Sequence, residues 1–239
     1  MILRSPIPNQ IGQAYLWSHI DFSRVQTIEA SGNDIISVLN LSGNNIGASQ
    51  AVSGARPKTG IETHNGLNVA TFQGGQFLNF ANNTPGDIPF TVFVIGLNQG
   101  EGAQPQAFIG RQTSNINGQW VIRRETSGVF NAFGYGVEAG ASQAAKTGNN
   151  NANIHNITFA DGQGMTYRLN NDSPATGAVR TGQDNDITTG LALGAANSAG
   201  GNSLIGWIGE IIIYNGVLTT PEIATVNQYL SLKWGVTIA

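Results

Sequence analysis

Short apolar or alternating runs, separated by turn residues, recur along this sequence and restrict its fold more than any other feature. From Tyr15 onward they are typical of a β-sandwich or barrel, and not of a chain that alternates strands with helices. Phe90–Ile95 is apolar on both faces, which predicts a strand in the middle of a layered sheet. We predict strands at Tyr15–Phe22, Thr27–Glu29, Ile35–Leu39, Asn68–Phe72, Phe77–Phe80, Phe90–Leu97, Gln106–Arg111, Gln119–Glu125, Phe130–Val137, Ile154–Ala160, Met165–Leu169, Leu191–Leu193, Leu204–Trp207 and Glu210–Tyr214.

The composition supports an all-β chain with many turns. Glycine supplies 32 of the 239 residues and charged side chains 10 %, against roughly 7 % glycine and 25 % charge in ordinary soluble domains. A hydrophobic share of 40 % and a net charge of -3 exclude a disordered chain. Lysine occurs only at Lys58, Lys146 and Lys233, too rarely for a coiled coil. We therefore predict an extended N-terminal arm over residues 1–14 and a single domain over residues 15–239.

Charge and cysteine usage exclude several classes of function. The chain has no cysteine, which removes disulfide frameworks, zinc ribbons and thiolate nucleophiles. Its pI of about 5.5 argues against a nucleic-acid-binding surface, which needs a basic stripe. The adjacent Arg123 and Arg124 should point to opposite faces of a strand and form no patch. No apolar run is long enough to span a membrane, and residues 1–6 do not have the pattern of a signal peptide.

Local signals predict turns, two loops and one helix. Asn-Gly pairs begin at Asn65, Asn117 and Asn215, and this pair favours tight turns. Asn170-Asn171 should turn the chain in the same way. Thr219, Pro221 and Glu222 form a capping-box pattern, and the helix that follows should end at Gly235. We further predict long loops at Gly140–Asn153 and Ala195–Asn202 and a last short strand at Val236–Ile238.

Segments at the start, middle and end of the chain follow one pattern: Tyr15–Trp17, Asp21, Thr27-Ile28, Asn40–Asn44, Arg56-Pro57, Asn65–Gly74, Gly209–Asn215 and Tyr229–Val236. In these segments the chain resembles the concanavalin A-like lectin/glucanase superfamily, and within it the laminin-G-like jelly-roll modules found in many bacterial and phage proteins. The resemblance implies an antiparallel two-sheet jelly-roll sandwich with one short C-terminal helix. Its motifs are structural, so it implies the fold more strongly than a function.

The acidic residues do not suggest a hydrolase. Glycoside hydrolysis needs two carboxylates across one sugar, and the Glu-x-Asp-x-x-Glu pattern of the family's glucanases is missing. Glu210 is a lone acid before three isoleucines, and we expect it to be a polar residue at the edge or end of a strand. His155 alternates with Ile154 and Ile157, so we expect it to face solvent. The chain is therefore predicted not to be an enzyme, and a glucanase-like hydrolase is the least favoured alternative.

Aromatic residues with polar neighbours suggest where a sugar could bind. An aromatic ring stacks on the apolar face of a sugar, while amide, carboxylate and guanidinium groups bind its hydroxyls. Core aromatics beside polar turns would give the same pattern, so both readings stay open. The candidate glycan-binding residues are Trp120, Arg123, Asn131, Phe133, Tyr135, Tyr167, Arg168, Asn170 and Asp172.

Asp184 and Asp186 offer oxygen ligands two residues apart, as at the start of many calcium loops. A later glutamate is missing, so a loop held by Asx turns is the stronger interpretation and calcium the alternative. No other cofactor is expected.

These features predict a non-enzymatic surface component of a phage virion, either a capsid decoration protein or a tail-associated adhesin. The arm over residues 1–14 would dock on other virion proteins, and the domain would bind a cell-surface glycan. Homo-oligomerisation is left open. The alternative is a free lectin-type carbohydrate-binding module.

Overall fold

The computed structural model describes residues 10–11, 14–43, 47–81, 89–100, 104–112, 119–135, 141–147, 151–160, 163–179 and 190–239. For residues 10–11, 135 and 141–142 it describes the backbone only. The strands are β1 Gln10–Ile11, β2 Ala14–Asp21, β3 Ile28–Ser31, β4 Asp34–Val38, β5 Ala48–Ser49, β6 Thr63–His64, β7 Leu67–Asn68, β8 Ala70–Gln73, β9 Leu78–Phe80, β10 Phe90–Asn98, β11 Gln106–Gly110, β12 Trp120–Arg124, β13 Val129–Tyr135, β14 Ala141–Thr147, β15 Asn153–Phe159, β16 Gly164–Leu169, β17 Ala175–Val179, β18 Ala192–Leu193 and β19 Ile205–Asn215. The helix α1 spans Thr220–Trp234.

Two large antiparallel sheets form the sandwich, as predicted. Sheet A has the strand order β1-β2-β19-β10-β15-β16-β17, and β8 also pairs with β19. Sheet B has the order β14-β13-β12-β11-β18-β9-β5-β4-β3. The hairpin β6–β7 stands apart from both sheets. β1 pairs with β2, so Gln10 and Ile11 form a strand of sheet A.

Sheet A is buried on both faces, which explains the doubly apolar strand β10. Val92 and Val94 belong to the core between the two sheets. Phe93 and Ile95 alternate with them and pack under α1 on the outer face of sheet A. β10 pairs with β19 on one side and β15 on the other, which confirms the prediction of a central strand.

The helix begins and ends where its capping residues predict. The backbone N–H and the hydroxyl of Thr219 each donate to the carboxylate of Glu222 at 2.7 Å. Gly235 ends the helix with a φ of 67°, a left-handed conformation that glycine adopts without strain. The helix buries Ile223, Val226 and Leu230 against sheet A. Within the described residues, no helix has the length and apolarity that a membrane crossing requires.

Several local predictions were wrong. Gly140–Asn153 was expected to be a loop, but Ala141–Thr147 forms β14, the edge of sheet B. Its side chains are mostly small, and pairing with β13 rather than intrinsic preference makes it a strand. Val236–Ile238 is not a strand. The two strands expected between Leu204 and Tyr214 are one continuous strand, β19.

Candidate functional site

A polar cleft lies where β10, β11 and β12 reach one end of their strands. It encloses about 260 Å³. β10 ends at Asn98, β11 begins at Gln106 and β12 ends at Arg124, so the sheet topology brings three polar side chains together. The cleft is lined by Asn98, Gly100, Gln104, Gln106, Arg124, Glu125, Thr126, Ser127 and Gly128.

Hydrogen bonds fix the floor of the cleft. Arg124 Nη1 donates to Asn98 Oδ1 at 3.2 Å and to the Gly100 carbonyl at 2.9 Å. Asn98 Nδ2 donates to Gln106 Oε1 at 2.9 Å. Asn98 and Gln106 are 2 % and 4 % exposed, so the floor is desolvated as well as polar. Such a floor presents donors and acceptors in fixed positions, which favours a ligand with hydroxyl groups.

The hairpin between β12 and β13 forms one rim of the cleft. Gly128 N donates to the Glu125 carbonyl at 2.9 Å, and Glu125 N donates to the Val129 carbonyl at 2.8 Å. Gly128 has a φ of 83°, a value that a side chain would strain. The tight turn holds Thr126 and Ser127 exposed beside the floor, so their hydroxyls are available to a ligand.

A second polar group lies on the outer face of sheet B, next to the cleft. The guanidinium carbon of Arg123 lies 4.3 Å from the centre of the Phe133 ring. Arg123 Nε donates to Glu125 Oε1 at 2.7 Å, and Asn131 is the register partner of Arg123 on β13. Arg123 and Arg124 thus point to opposite faces, as predicted, and Glu125 joins the outer face to the cleft.

The structure brings only some of the predicted glycan-binding residues together. Arg123, Asn131 and Phe133 meet on sheet B. Trp120 and Tyr167 lie in the core between the sheets and are 0 % exposed, so neither ring can stack on a sugar. Tyr135 is the last residue of β13, and its side chain lies outside the described residues, as do Asp184 and Asp186 of the predicted calcium loop.

The remaining three predicted residues lie on sheet A and serve the fold there. Asn170 Oδ1 accepts the Ile154 N–H at 2.8 Å in a turn where Asn170 has a φ of 51°. Asp172 accepts from Lys146 at 2.8 Å. Arg168 is 8 % exposed and donates to Thr220 Oγ1 at 3.4 Å.

The prediction that His155 faces solvent was wrong. The ring is 0 % exposed and lies between the sheets, with its centre 4.5 Å from Phe108 and 5.0 Å from Phe130. Its Nδ1 lies 2.7 Å from the hydroxyl of Tyr167. Burial lowers the pKa of His155 to about 3, so the ring is neutral at pH 7. His155 and Ile157 are two residues apart, so they share the face of β15 that packs against sheet B, and that face is buried.

The expectation for Glu210 was also wrong, because it lies inside β19 at the centre of a buried polar network. Glu210 Oε1 lies 2.6 Å from His19 Nε2 and accepts from the Tyr229 hydroxyl at 2.9 Å. Glu210 Oε2 accepts from Lys233 Nζ at 2.7 Å and from Trp234 Nε1 at 2.8 Å. Burial alone raises the pKa of Glu210, but the hydrogen bond with His19 and the charge of Lys233 outweigh it and hold the pKa at about 2.

His19, Asp21 and Glu210 offer ligand atoms within 4.8 Å of one another, which is the spacing of a metal site. Lys233 Nζ, however, lies 2.7 Å from both Asp21 Oδ2 and Glu210 Oε2. The ammonium group therefore supplies the positive charge that these carboxylates require. We assign the cluster to the anchoring of α1 on sheet A.

Sequence reasoning missed both the cleft and the anchor. Glu210 stands among isoleucines in an apolar run, and this pattern could have indicated a buried carboxylate. A buried carboxylate needs a partner of opposite charge, so the pattern also indicates that such a partner is near. Asn98 and Gln106 end and begin apolar runs. Their places at the ends of these runs indicated the ends of two strands, but they did not indicate that the ends of three strands would meet.

Comparisons with known proteins give the fold but no family. No family model matches the chain, and no curated protein matches it. Domain 4 of AbnA, an extracellular arabinanase from Geobacillus stearothermophilus solved with arabinotriose, is 13 % identical at a TM-score of 0.60, over 91 % of this chain and 100 % of that domain. The Trypanosoma rangeli sialidase with the inhibitor DANA is 17 % identical at a TM-score of 0.62, over 95 % of this chain and 35 % of the sialidase.

The binding domain of botulinum neurotoxin serotype D is 14 % identical at a TM-score of 0.64, over 92 % of this chain and 54 % of that domain. The chain thus spans about a third of the sialidase and about half of the toxin domain. At these identities the likeness shows the fold alone. The chain has a jelly-roll β-sandwich fold, which the matched parts of these three structures share.

Proposed function

We propose that the chain is a non-enzymatic glycan-binding module that holds a saccharide in the cleft formed by the ends of β10, β11 and β12. The observation that carries the proposal is the buried, hydrogen-bonded floor of Asn98, Gln106 and Arg124 beneath an open mouth. A floor that is already ordered loses little conformational entropy on binding. The exposed Thr126 and Ser127 add hydroxyls at the rim.

The acid content of the cleft supports binding without hydrolysis. Glu125 is the one carboxylate among the described lining residues, and it is already paired with Arg123 at 2.7 Å. Hydrolysis by two flanking carboxylates would need a partner for it. Incubation of the chain with any glycan that it binds should therefore release no reducing ends.

A glycan array probed with the full chain tests the proposal. We expect specific binding to one class of saccharide, weakened about tenfold to a hundredfold by Arg124→Gln, because a hydrogen bond from a charged donor contributes about 1.5–3 kcal/mol. Arg56→Gln is the matched control, since Arg56 also donates to backbone carbonyls but lies outside the cleft.

Ser127→Trp is a second test that does not disturb the floor, because Ser127 is exposed at the rim. The indole should fill the mouth and abolish binding. Full binding by both Arg124→Gln and Ser127→Trp, or no binding by the wild-type chain to any glycan, would refute the proposal.

A place on a phage particle, as capsid decoration or tail-associated adhesin, stays a prediction from the sequence and is compatible with glycan binding. Docking on other virion proteins through residues 1–14 is part of the same prediction. Co-sedimentation of the chain with particles tests it, and deletion of residues 1–9, which leaves β1 and β2 in place, should release the chain while leaving glycan binding intact.

A further inference from the structure

A second cavity of about 300 Å³ adjoins the polar cleft. The two cavities share Gln104 and Gln106, so together they form a continuous groove across the start of β11. The second cavity is lined by Gly74, Gln104, Pro105, Gln106, Asn202, Ser203 and Ile205. Ligand sites usually enclose about 300–1,000 Å³. The polar cleft, at about 260 Å³, lies just below that range and the second cavity, at about 300 Å³, at its lower limit, so each alone suits a single small ring.

Gln106 fixes the two cavities relative to each other. Its Oε1 accepts from Asn98 Nδ2, on the side of the polar cleft, and from Ile205 N, on the side of the second cavity, each at 2.9 Å. Among the described residues, its Nε2 donates one hydrogen bond, a long one of 3.4 Å, to the Gly100 carbonyl. At 4 % exposure the amide is nearly buried, so a ligand lying across it would find a donor held in a fixed position.

The second cavity differs from the cleft in its chemistry. Its described lining carries no ionisable side chain, and Ile205 is 39 % exposed there beside Pro105. Apolar side chains of this kind can pack against the C–H face of a sugar ring, whereas the cleft offers hydrogen bonds. Among its described lining residues the cleft contains one cation and one anion, Arg124 and Glu125, so the described lining of the groove presents no excess of either charge.

We propose that the groove binds a linear neutral oligosaccharide, with one unit hydrogen-bonded in the cleft and the next unit packed on Ile205 and Pro105. The inference rests on the proposed glycan-binding function and specifies the ligand as a chain and not a single terminal sugar. Gln106 lies between the two units and is available to both.

Isothermal titration calorimetry with mono- to pentasaccharides tests the inference, using gluco-, xylo- and arabino-oligosaccharides as probes. In the series that binds, the affinity of the wild-type chain should rise at least tenfold from the monosaccharide to the trisaccharide. Ile205→Thr keeps a β-branched residue in the strand and should reduce that gain to less than threefold, without changing the affinity for the monosaccharide. Pro105→Ser, which changes the other apolar residue on which the second sugar unit packs, should also reduce the gain in affinity with chain length.

Val179→Thr is the matched control, because Val179 is an exposed β-branched residue on β17 outside the groove. Equal wild-type affinities for monosaccharide and trisaccharide would overturn the inference and leave the proposed function standing. A full length-dependent gain in both Ile205→Thr and Pro105→Ser would overturn it as well. If the chain binds none of the three series but binds another class of glycan on the array, the inference about the oligosaccharide is overturned and the proposed glycan-binding function stands.

Discussion

Acid should destabilise this protein through His155, which is buried between the sheets. His155 lies between the sheets with aromatic rings on two sides and the Tyr167 hydroxyl 2.7 Å from Nδ1. Burial lowers its pKa from 6.5 to about 3. In the unfolded chain the imidazole binds a proton below about pH 6.5, whereas in the folded chain it stays neutral down to about pH 3. Stability therefore falls as the pH drops from about 6.5 towards 3.

The size of the effect follows from the shift. Each pKa unit between the two states corresponds to about 1.4 kcal/mol. Between pH 7 and pH 4.5 the pH crosses about two units of the interval between the pKa values of the unfolded and the folded chain, 6.5 and about 3. His155 therefore lowers the free energy of unfolding by about 3 kcal/mol over this fall in pH. Glu210 does not interfere in that range, because its pKa shift, from 4.5 to about 2, affects stability only below about pH 4.5.

Urea unfolding of the wild-type chain and of His155→Phe at pH 7 and pH 4.5, followed by tryptophan fluorescence, measures this contribution. The difference between the two pH values is taken within each protein, so the lost hydrogen bond to Tyr167 cancels. We expect the wild-type chain to lose about 3 kcal/mol more than His155→Phe. His64→Gln is the control, since that half-buried ring has a pKa lowered by burial but retains access to solvent. An equal loss in wild type and His155→Phe would refute the reasoning.

Three further predictions concern the anchor of α1 and the calcium loop. Glu210→Gln should destabilise the fold by about 1.5–3 kcal/mol in urea unfolding at pH 7, because it removes the charged acceptor of Lys233 and Trp234 while Lys233 keeps its ion pair with Asp21; an effect below 1 kcal/mol would contradict the anchor. Gly209→Ala should cost about 1–3 kcal/mol and shift the tryptophan emission, because a Cβ there would lie 2.7 Å from the Trp234 ring; unchanged stability would show that the ring moves freely. If the predicted loop binds calcium, 1–5 mM calcium should raise the melting temperature of the wild-type chain by a few degrees and leave that of Asp184→Asn unchanged; equal behaviour of the two chains would remove the calcium alternative.

The strands and the helix were predictable where a local pattern decides the structure. Phe90–Ile95 could only be a buried central strand, and Thr219 and Gly235 mark the ends of the helix by their own hydrogen-bonding and conformational preferences. β14 was missed because its residues have a weak intrinsic preference for a strand, and its conformation is set by pairing with β13. The prediction for His155 failed because Ile157, two residues on, lies on the same face of β15 as the histidine, and that face packs against sheet B.

The candidate site was predicted only in part, for a physical reason. Arg123, Asn131 and Phe133 follow from the alternation along two strands joined by one hairpin, so their meeting is local. The cleft needs Asn98, Gln106 and Arg124 to meet, and their contacts depend on the register of strands in two different sheets. How the ends of strands in two packed sheets meet depends on the packing of the sheets, and the spacing of residues along the chain does not give it.

The pairing of β2 with β19 has a consequence for synthesis of the chain. The first long strand of sheet A, Ala14–Asp21, lies beside a strand that begins at Ile205. A ribosome adds about 5–20 residues per second, so β2 waits roughly ten to forty seconds for its neighbour. During that time Leu16 and Ile20, both buried in the finished sandwich, have no cover from β19 or α1. This strand is where we expect a chaperone to hold the nascent chain.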